Sequence, residues 1–244
     1  MISSISLKAF LNTLPGREPS LNQHDWVIGQ LQSLRQGSSL LDVGAGCQPY
    51  RPYTSHLKYV TQDFCQYSPL ASFGDQSESW DYGSSIDIIS DITSIPCRDQ
   101  SFDAILCTEV LEHVFAPIEA ITEMLRLLKP GGLLIITVPF RSLYHMYPHY
   151  YYSGFSSCFF STFIEKNSFP LESLSIQPNG TYADNIAQDL RRLIVYLQCK
   201  QVFGLLRYFL IAVTYLVIVI LKYIPSSALG ESTNGYFVTI SKPS

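Results

Sequence analysis

The chain has 244 residues, with 16 basic and 20 acidic side chains and a net charge of −4. Hydrophobic residues make up 47% of it, which excludes intrinsic disorder over most of the chain. Binding to nucleic-acid phosphates needs clustered positive charge, so a mildly acidic chain is not expected to have nucleic acid as a partner. The length allows one domain, or one domain with an appendage.

Six cysteines are present, but no two of them have the C-x-x-C spacing of a zinc ribbon or a thioredoxin-type pair. Several lie in apparent core strands, so we interpret them as reduced and expect a cytoplasmic protein. Residues 1–19 contain no long apolar run after a basic start, and they do not resemble a signal peptide.

The elements of a doubly wound α/β fold follow a helical N-terminal segment, residues 1–36. Apolar residues at intervals of three and four predict a helix over Ile118–Leu128, which ends at a Lys-Pro-Gly-Gly turn. Strands alternating with helices predict a mostly parallel sheet with helices on both faces. Short runs rich in β-branched residues predict its strands at Ser39–Val43, Tyr59–Thr61, Ile86–Ser90, Phe102–Cys107 and Leu133–Val138.

Two later strands are predicted at Leu171–Ile176 and Tyr236–Ser241, separated by an unusual insertion. We therefore divide the chain into four parts. They are the N-terminal helical segment (1–36), the core domain (37–180), a hydrophobic basic helical insertion (181–232) and a final core strand (233–244).

Ligands of such sheets bind at the carboxyl ends of the strands. The first strand ends in Asp42-Val-Gly-Ala-Gly46, where glycines would let a ligand approach backbone N–H groups. The second ends in Asp63, 21 residues later, which is placed to bind ribose hydroxyls. The alternative for Asp63 is a turn or helix-capping aspartate.

Three further motifs follow in order: Ser90-Asp-Ile-Thr-Ser-Ile-Pro96, then Ser101-Phe-Asp with Glu109-Val-Leu-Glu-His113, and Leu128-Lys-Pro-Gly-Gly132. Together with the glycine loop they resemble the S-adenosylmethionine-dependent methyltransferases with a Rossmann-like sheet, and most closely the methyltransferase type 11 group. The resemblance covers about residues 40–140. It implies S-adenosylmethionine as the cofactor and a seven-stranded sheet with an antiparallel last strand, which Tyr236–Ser241 would supply.

The resemblance also implies the residues that bind the cofactor. Asp63 would bind the ribose hydroxyls, Asp91 and Ile92 would flank the adenine, and Glu109 would lie beside the sulfonium and the substrate entrance. Three residues of the glycine loop would face the methionine part of the cofactor: Asp42, Gly44 and Gly46.

Two positions depart from the group's pattern. Gln48 stands where many members have a third glycine, although Gly46–Arg51 matches the group's Gly-x-x-Pro-Tyr-Arg variant. The segment His149–Phe155 lacks the Asp and Arg of the group's His-Asp-Tyr-Tyr-Arg-Phe-Thr. A catalytically inactive assembly or binding subunit is therefore the alternative to an enzyme. A nicotinamide-dependent enzyme is disfavoured, because its third glycine would fall at Pro49.

Methyl transfer from a sulfonium mainly requires that the protein align the acceptor. An oxygen acceptor usually needs a base, most often histidine, and the candidates are His113, His145 and His149. A packed helix histidine is the alternative for His113. Nine aromatic residues fall between Tyr144 and Phe163, and the tyrosines among them lie on a loop where the substrate is expected. An apolar wall with hydroxyl tips suits a lipid, a sugar or an aromatic substrate. We therefore predict O-methylation of a small molecule, glycan or lipid precursor. The predicted substrate contacts are Tyr144, Tyr150, Tyr151 and Tyr152, whereas Phe159, Phe160 and Phe163 are predicted to pack on the sheet.

Glu109, Glu112 and His113 resemble the metal site of small-RNA 2′-O-methyltransferases, which has two glutamates and two histidines, and the second histidine would be His145 or His149. Both glutamates also recur in metal-free relatives, so we expect no metal.

The insertion contains 14 uncharged residues, Tyr208–Leu221, between Arg207 and Lys222. A membrane span needs about 20 residues, and the final strand must return to the sheet. Residues 190–224 contain five cations and no acidic residue. We therefore predict peripheral contact with an anionic membrane through 190–224. A homodimer interface and an internal core helix are the alternatives, and the oligomeric state is left open.

Overall fold

The computed structural model describes residues 18–67, 82, 85–199, 204, 206–221 and 233–243. Short 3-10 turns occupy Arg51–Tyr53, Leu111–His113 and Leu171–Ser173. The longer elements, in chain order, are α1 (Glu18–Ser33), β1 (Ser39–Val43), β2 (Lys58–Asp63), β3 (Ile88–Ile89), β4 (Phe102–Thr108), α2 (Pro117–Leu127), β5 (Leu128–Pro139), α3 (Ser157–Lys166), β6 (Leu174–Asn179), α4 (Tyr182–Cys199), α5 (Leu206–Leu221) and β7 (Gly235–Ser241).

The strands form one seven-stranded sheet in the order β3-β2-β1-β4-β5-β7-β6. Strands β1 to β5 pair in parallel, and β7 pairs antiparallel with β5. This confirms the predicted Rossmann-like sheet with its antiparallel last strand. The chain order reverses between β1 and β4, and the crevice outside their carboxyl ends is the expected ligand position.

Several predicted elements have different bounds in the structure. The strand predicted at Ile86–Ser90 is limited to Ile88–Ile89 in the structure. At Asp87 the side chain, in place of the backbone, accepts the Thr61 N–H of the neighbouring strand at 2.9 Å. The strand predicted at Leu171–Ile176 starts at Leu174, after a 3-10 turn that follows Pro170. Helix α2 begins one residue earlier than predicted, since proline suits a first helical turn. Strand β5 extends in both directions beyond Leu133–Val138.

The hydrophobic core lies on both faces of the sheet. Along β4, Ile105 and Cys107 belong to one cluster and Ala104 and Leu106 to the other, because successive side chains point to opposite faces. One face is covered by α2 and α3, and the other by Val27 and Leu31 of α1. Phe160 and Phe163 are buried, and Phe159 packs against the same cluster, which confirms their predicted packing role.

A separate compact unit contains residues 178–234 together with 1–24. Its helices α4 and α5 pack through Ala187, Ile194 and Ile218. Within the described ranges, no helix combines the length and the apolarity that a membrane crossing requires. Lys200 and Lys222, two of the cations in the predicted membrane-contact segment, lie outside the described residues.

Candidate cofactor and substrate site

The glycine loop after β1 folds onto the end of β2. The Ala45 N–H donates to the Gln62 carbonyl at 3.0 Å, and the Gly46 N–H donates to Asp63 Oδ2 at 3.0 Å. Gly44 has a φ of +66°, and a Cβ added there would lie 2.5 Å from Val110 Cγ2. The loop is therefore in close contact with the chain that leaves β4, at the reversal point of the sheet.

Asp63 is buried and holds two backbone N–H groups. Its Oδ2 accepts from Gly46 and its Oδ1 accepts from Cys65 at 3.0 Å. A carboxylate can accept about four hydrogen bonds, so each oxygen keeps capacity for a further donor. The bond to Cys65 is the turn role considered for this residue, and it leaves the predicted role towards ribose hydroxyls open.

Asp42 is 2% exposed at the end of β1. Burial raises its pKa to about 7, although the Tyr59 hydroxyl acts in the opposite direction by donating to Oδ2 at 2.5 Å. The Arg51 guanidinium lies over the Tyr59 ring, 5.1 Å from its centroid. The glycine loop thus contains an acid whose charge changes near neutral pH, and Tyr59, which the sequence did not single out, is its partner.

Gln48 adopts the left-handed conformation that favours glycine, with a φ of +56°. Its side chain is buried, where Nε2 donates to the Tyr82 carbonyl at 3.2 Å and Oε1 accepts from Arg51 Nε at 2.6 Å. These side-chain bonds fix the loop at a position where many members of the group have glycine.

Asp91 and Ile92 follow β3, whose next residue, Ser90, donates its N–H to the Asp63 carbonyl at 3.1 Å. The Asp91 carboxylate is exposed and accepts from the Thr93 N–H and hydroxyl at 2.8 and 2.7 Å. Ile92 is 9% exposed and belongs to the hydrophobic core. The structure therefore places both residues beside the Asp63 backbone, with a polar and an apolar side chain.

Glu109 directly follows β4 and has a φ of +52°. Its Oε1 accepts from the Thr137 hydroxyl at 3.0 Å, which joins the carboxyl ends of β4 and β5. The side chain is accessible to solvent but crowded by protein, and this desolvation raises its pKa to about 7. Three residues further on, burial raises the pKa of Glu112 well above its usual range.

The loop after β5 is fastened to the turn that contains Glu112 and His113. The Glu112 carbonyl accepts the N–H groups of Tyr151 and Tyr152 at 3.0 and 3.2 Å, and His113 Nδ1 lies 2.6 Å from the His149 carbonyl oxygen. Burial lowers the pKa of His113 to about 4, so that its ring is neutral at physiological pH.

The structure brings the three predicted histidines into one neighbourhood. The rings of His113 and His145 meet edge to face with their centroids 4.7 Å apart. The ring of His149 packs at 5.0 Å against Phe64, the residue that follows Asp63. Phe64 was not singled out from the sequence, since an aromatic residue after a strand carries no distinctive signal.

The four predicted substrate tyrosines divide into two pairs. The ring centroids of Tyr144 and Tyr150 are 5.3 Å apart, and those of Tyr150 and His145 are 5.2 Å apart. Tyr151 and Tyr152 lie on Phe115 instead, through a ring contact and a hydroxyl that donates to its carbonyl at 3.0 Å. Tyr144 and Tyr150 therefore lie beside the three histidines, whereas Tyr151 and Tyr152 contact Phe115.

Comparison with known proteins finds similarity to methyltransferases. Residues 41–136 match a family model described as a methyltransferase domain. Probable tRNA methyltransferase 9B of Bos taurus is 34% identical over 111 residues, which cover 44% of this chain and 23% of that protein. Demethylmenaquinone methyltransferase of Renibacterium salmoninarum is 35% identical over 123 residues, which cover 46% of this chain and 48% of that protein.

Among solved structures, phosphoethanolamine N-methyltransferase 2 of Haemonchus contortus in complex with S-adenosyl-L-methionine has a TM-score of 0.53 at 17% identity. The match covers 91% of this chain and 53% of that one. The sheet order and the family model matched by residues 41–136 agree with the Rossmann-like methyltransferase domain that the sequence motifs predicted. The chain spans less than half the length of the two curated relatives.

Proposed function

We propose that the protein transfers the methyl group of S-adenosylmethionine to an oxygen atom of a small molecule, glycan or lipid precursor. The cofactor supplies an activated methyl group on a sulfonium. A hydroxyl acceptor loses its proton as the new O–CH₃ bond forms, so a base must lie at the acceptor. The observation that supports this proposal is the cluster of three histidines and two tyrosines beside the strand ends that carry Asp63 and Glu109.

Within this proposal His149 is the base. Its ring packs on Phe64, directly after the proposed ribose-binding residue Asp63. His113 is the weaker base, because burial lowers its pKa to about 4 and its Nδ1 faces the His149 carbonyl oxygen. Tyr144 and Tyr150 would then form an aromatic wall with hydroxyl tips, which suits an acceptor with both apolar and polar parts.

The proposal is tested by incubating the protein with methyl-labelled S-adenosylmethionine and separated cell extracts, and by measuring which extract takes up the label. The acceptor fractions are polar metabolites, lipids and tRNA, the last because a relative is named as a probable tRNA methyltransferase. We expect label in the metabolite or lipid fraction, and its loss in His149→Asn with cofactor affinity unchanged. Label in tRNA alone would contradict the acceptor class. Cofactor binding without transfer to any fraction would favour the inactive binding subunit.

We further propose a cytoplasmic location, with residues 181–232 as a membrane-contact segment attached to the core domain of 37–180 and 233–244. Thr214 and Ile218 on α5 are buried, and Ile218 packs towards α4. The segment 190–224 carries five cations and no acid, which suits an anionic surface. Many large apolar side chains of α5 are exposed: Leu206, Tyr208, Phe209, Val213, Tyr215, Leu216, Val217 and Ile220.

A further inference from the structure

Three potential metal ligands lie close together where the loop after β5 contacts the turn after β4. Glu112 and His113 belong to the 3-10 turn after β4, and His145 belongs to the loop. One ligand atom from each residue lies within 4.8 Å of the other two. Glu109, which the sequence motif grouped with Glu112 and His113, is not one of these three residues.

In both imidazoles Nε2 is the nitrogen available to bind a metal. His113 Nδ1 lies 2.6 Å from the His149 carbonyl oxygen, and His145 Nδ1 lies 2.7 Å from that of Leu143. A carbonyl oxygen only accepts, so Nδ1 is the protonated nitrogen of each ring and Nε2 carries the lone pair. Donation of the second N–H to a backbone carbonyl is how metal-binding histidines are commonly oriented.

Glu112 supplies a buried carboxyl group whose hydrogen bonding is incomplete. The residue is 1% exposed, and its Oε2 has no hydrogen-bond partner. Its Oε1 lies 3.8 Å from His113 Nε2. A buried polar atom without a partner is costly and calls for an explanation. A cation between these atoms would satisfy the carboxylate and both Nε2 lone pairs.

We propose that Glu112, His113 and His145 bind one divalent transition-metal ion of the Zn²⁺ class. Two imidazoles and a carboxylate suit zinc, and three protein ligands leave a fourth position open. Bonds of about 2.1 Å would place tetrahedral ligand atoms roughly 3.4 Å apart. The ligand atoms therefore need to approach one another modestly, and His145 can move because it lies on a loop.

The ion would crosslink the aromatic loop to the turn after β4. This inference goes beyond the proposed methyl transfer and replaces our expectation, drawn from the motif alone, that no metal binds. It does not depend on the acceptor, because metal content is measured without turnover.

The test measures zinc in protein without a histidine tag and with the exposed residues Cys47 and Cys158 changed to serine, since a free thiolate is itself a zinc ligand. Chelator-stripped protein is dialysed against micromolar ZnCl₂, and its metal is measured by plasma mass spectrometry. We expect about one zinc per chain. The affinity measured by competition with a chromogenic chelator should fall at least tenfold in His145→Asn and in Glu112→Gln.

His149→Asn is the matched control, since it removes an imidazole of the same loop but keeps the carbonyl that faces His113. It should retain the zinc. The proposal is overturned if the parent protein binds no stoichiometric zinc, or if His145→Asn binds it as tightly as the parent. Cobalt substitution gives a second readout: a tetrahedral site should produce visible absorption bands in the parent and in His149→Asn, and none in His145→Asn.

Discussion

Asp63 combines a structural and a proposed binding role in one carboxylate, since it holds Gly46 and Cys65 and would also accept ribose hydroxyls. We expect Asp63→Ala to weaken binding of S-adenosylmethionine and S-adenosylhomocysteine by roughly 1–3 kcal/mol, because ribose donors lose a charged acceptor. Calorimetry measures both affinities. Asp99→Ala is the control, because that exposed carboxylate pairs with Arg126 and has no predicted role in the cofactor site. Unchanged affinity in a folded Asp63→Ala protein would leave Asp63 with the turn role only.

Gly44 allows the glycine loop to lie against the chain after β4. Gly44→Ala should lower the free energy of unfolding by roughly 2–4 kcal/mol, because a Cβ would meet Val110 in an already unfavourable left-handed conformation. Gly37→Ala separates the two causes: Gly37 also has positive φ, but nothing lies within 4 Å of an added Cβ. Its cost should be nearer 1 kcal/mol. Equal losses in urea denaturation of the two variants would contradict the contact with Val110.

Asp42 makes stability depend on pH. Its pKa is about 7 in the folded protein, against 3.8 for an unperturbed carboxyl, so folding is favoured by the protonated form. That contribution is complete below about pH 4 and is lost as the pH rises to 7. Relative to Asp42→Asn, the parent protein should lose up to roughly 4 kcal/mol of unfolding free energy between pH 4 and 8.

Asp103→Asn is the control for this pH series. Although partial burial acts upwards, hydrogen bonds from Lys129 and Ser39 lower the pKa of Asp103 to about 2. Its contribution is therefore lost as the pH falls through the range from about 4 to 2, and the difference between the parent and Asp103→Asn should stay flat from pH 5 to 8. A flat difference for Asp42→Asn as well would show that Asp42 titrates normally.

At the scale of elements, the sequence predicted those that have a strong local pattern. Strand β1 has its predicted bounds, and α2 differs from its prediction by one residue at each end. The prediction was less accurate where a side chain replaces backbone pairing. At β3 the Asp87 carboxylate bonds to Thr61 across the edge of the sheet, and no periodicity records such a contact.

The candidate site shows the same division. Strand ends carry Asp42, Asp63 and Glu109, so their positions followed from the predicted order of strands. The loop after β5 could not be positioned in this way, because it is held by the Glu112 carbonyl, a backbone atom that every residue possesses. For this reason the sequence offered His145 or His149 as a second histidine beside Glu112 and His113 but could not choose between them.

At the scale of the whole molecule, charge and apolar surface are unevenly distributed. The net charge is −4, yet residues 190–224 contain five cations and no acid. Exposed apolar residues occupy much of α5, including Phe209 at 64% and Leu216 at 58% exposure. A patch of this kind on a protein marks an interaction surface. Its cationic surroundings favour an anionic lipid surface over a second, equally cationic copy of the same helices.

We therefore expect the protein to float with vesicles that contain phosphatidylserine and not with neutral vesicles. Apolar burial is worth about 25 cal/mol per Å², and each cation adds roughly 1 kcal/mol, screened by salt.

Replacing Lys200, Arg207 and Lys222 with alanine should release the protein at physiological salt, and so should Phe209→Glu with Leu216→Glu. Three alanines at Arg35, Lys58 and Lys166 form the charge-matched control and should leave binding intact. Alkaline carbonate should extract the bound protein, because the uncharged run Tyr208–Leu221 has 14 residues and a membrane span needs about 20. A monomer that ignores anionic vesicles would contradict membrane contact, whereas a dimer dissociated by Phe209→Glu would assign the apolar face to a second copy.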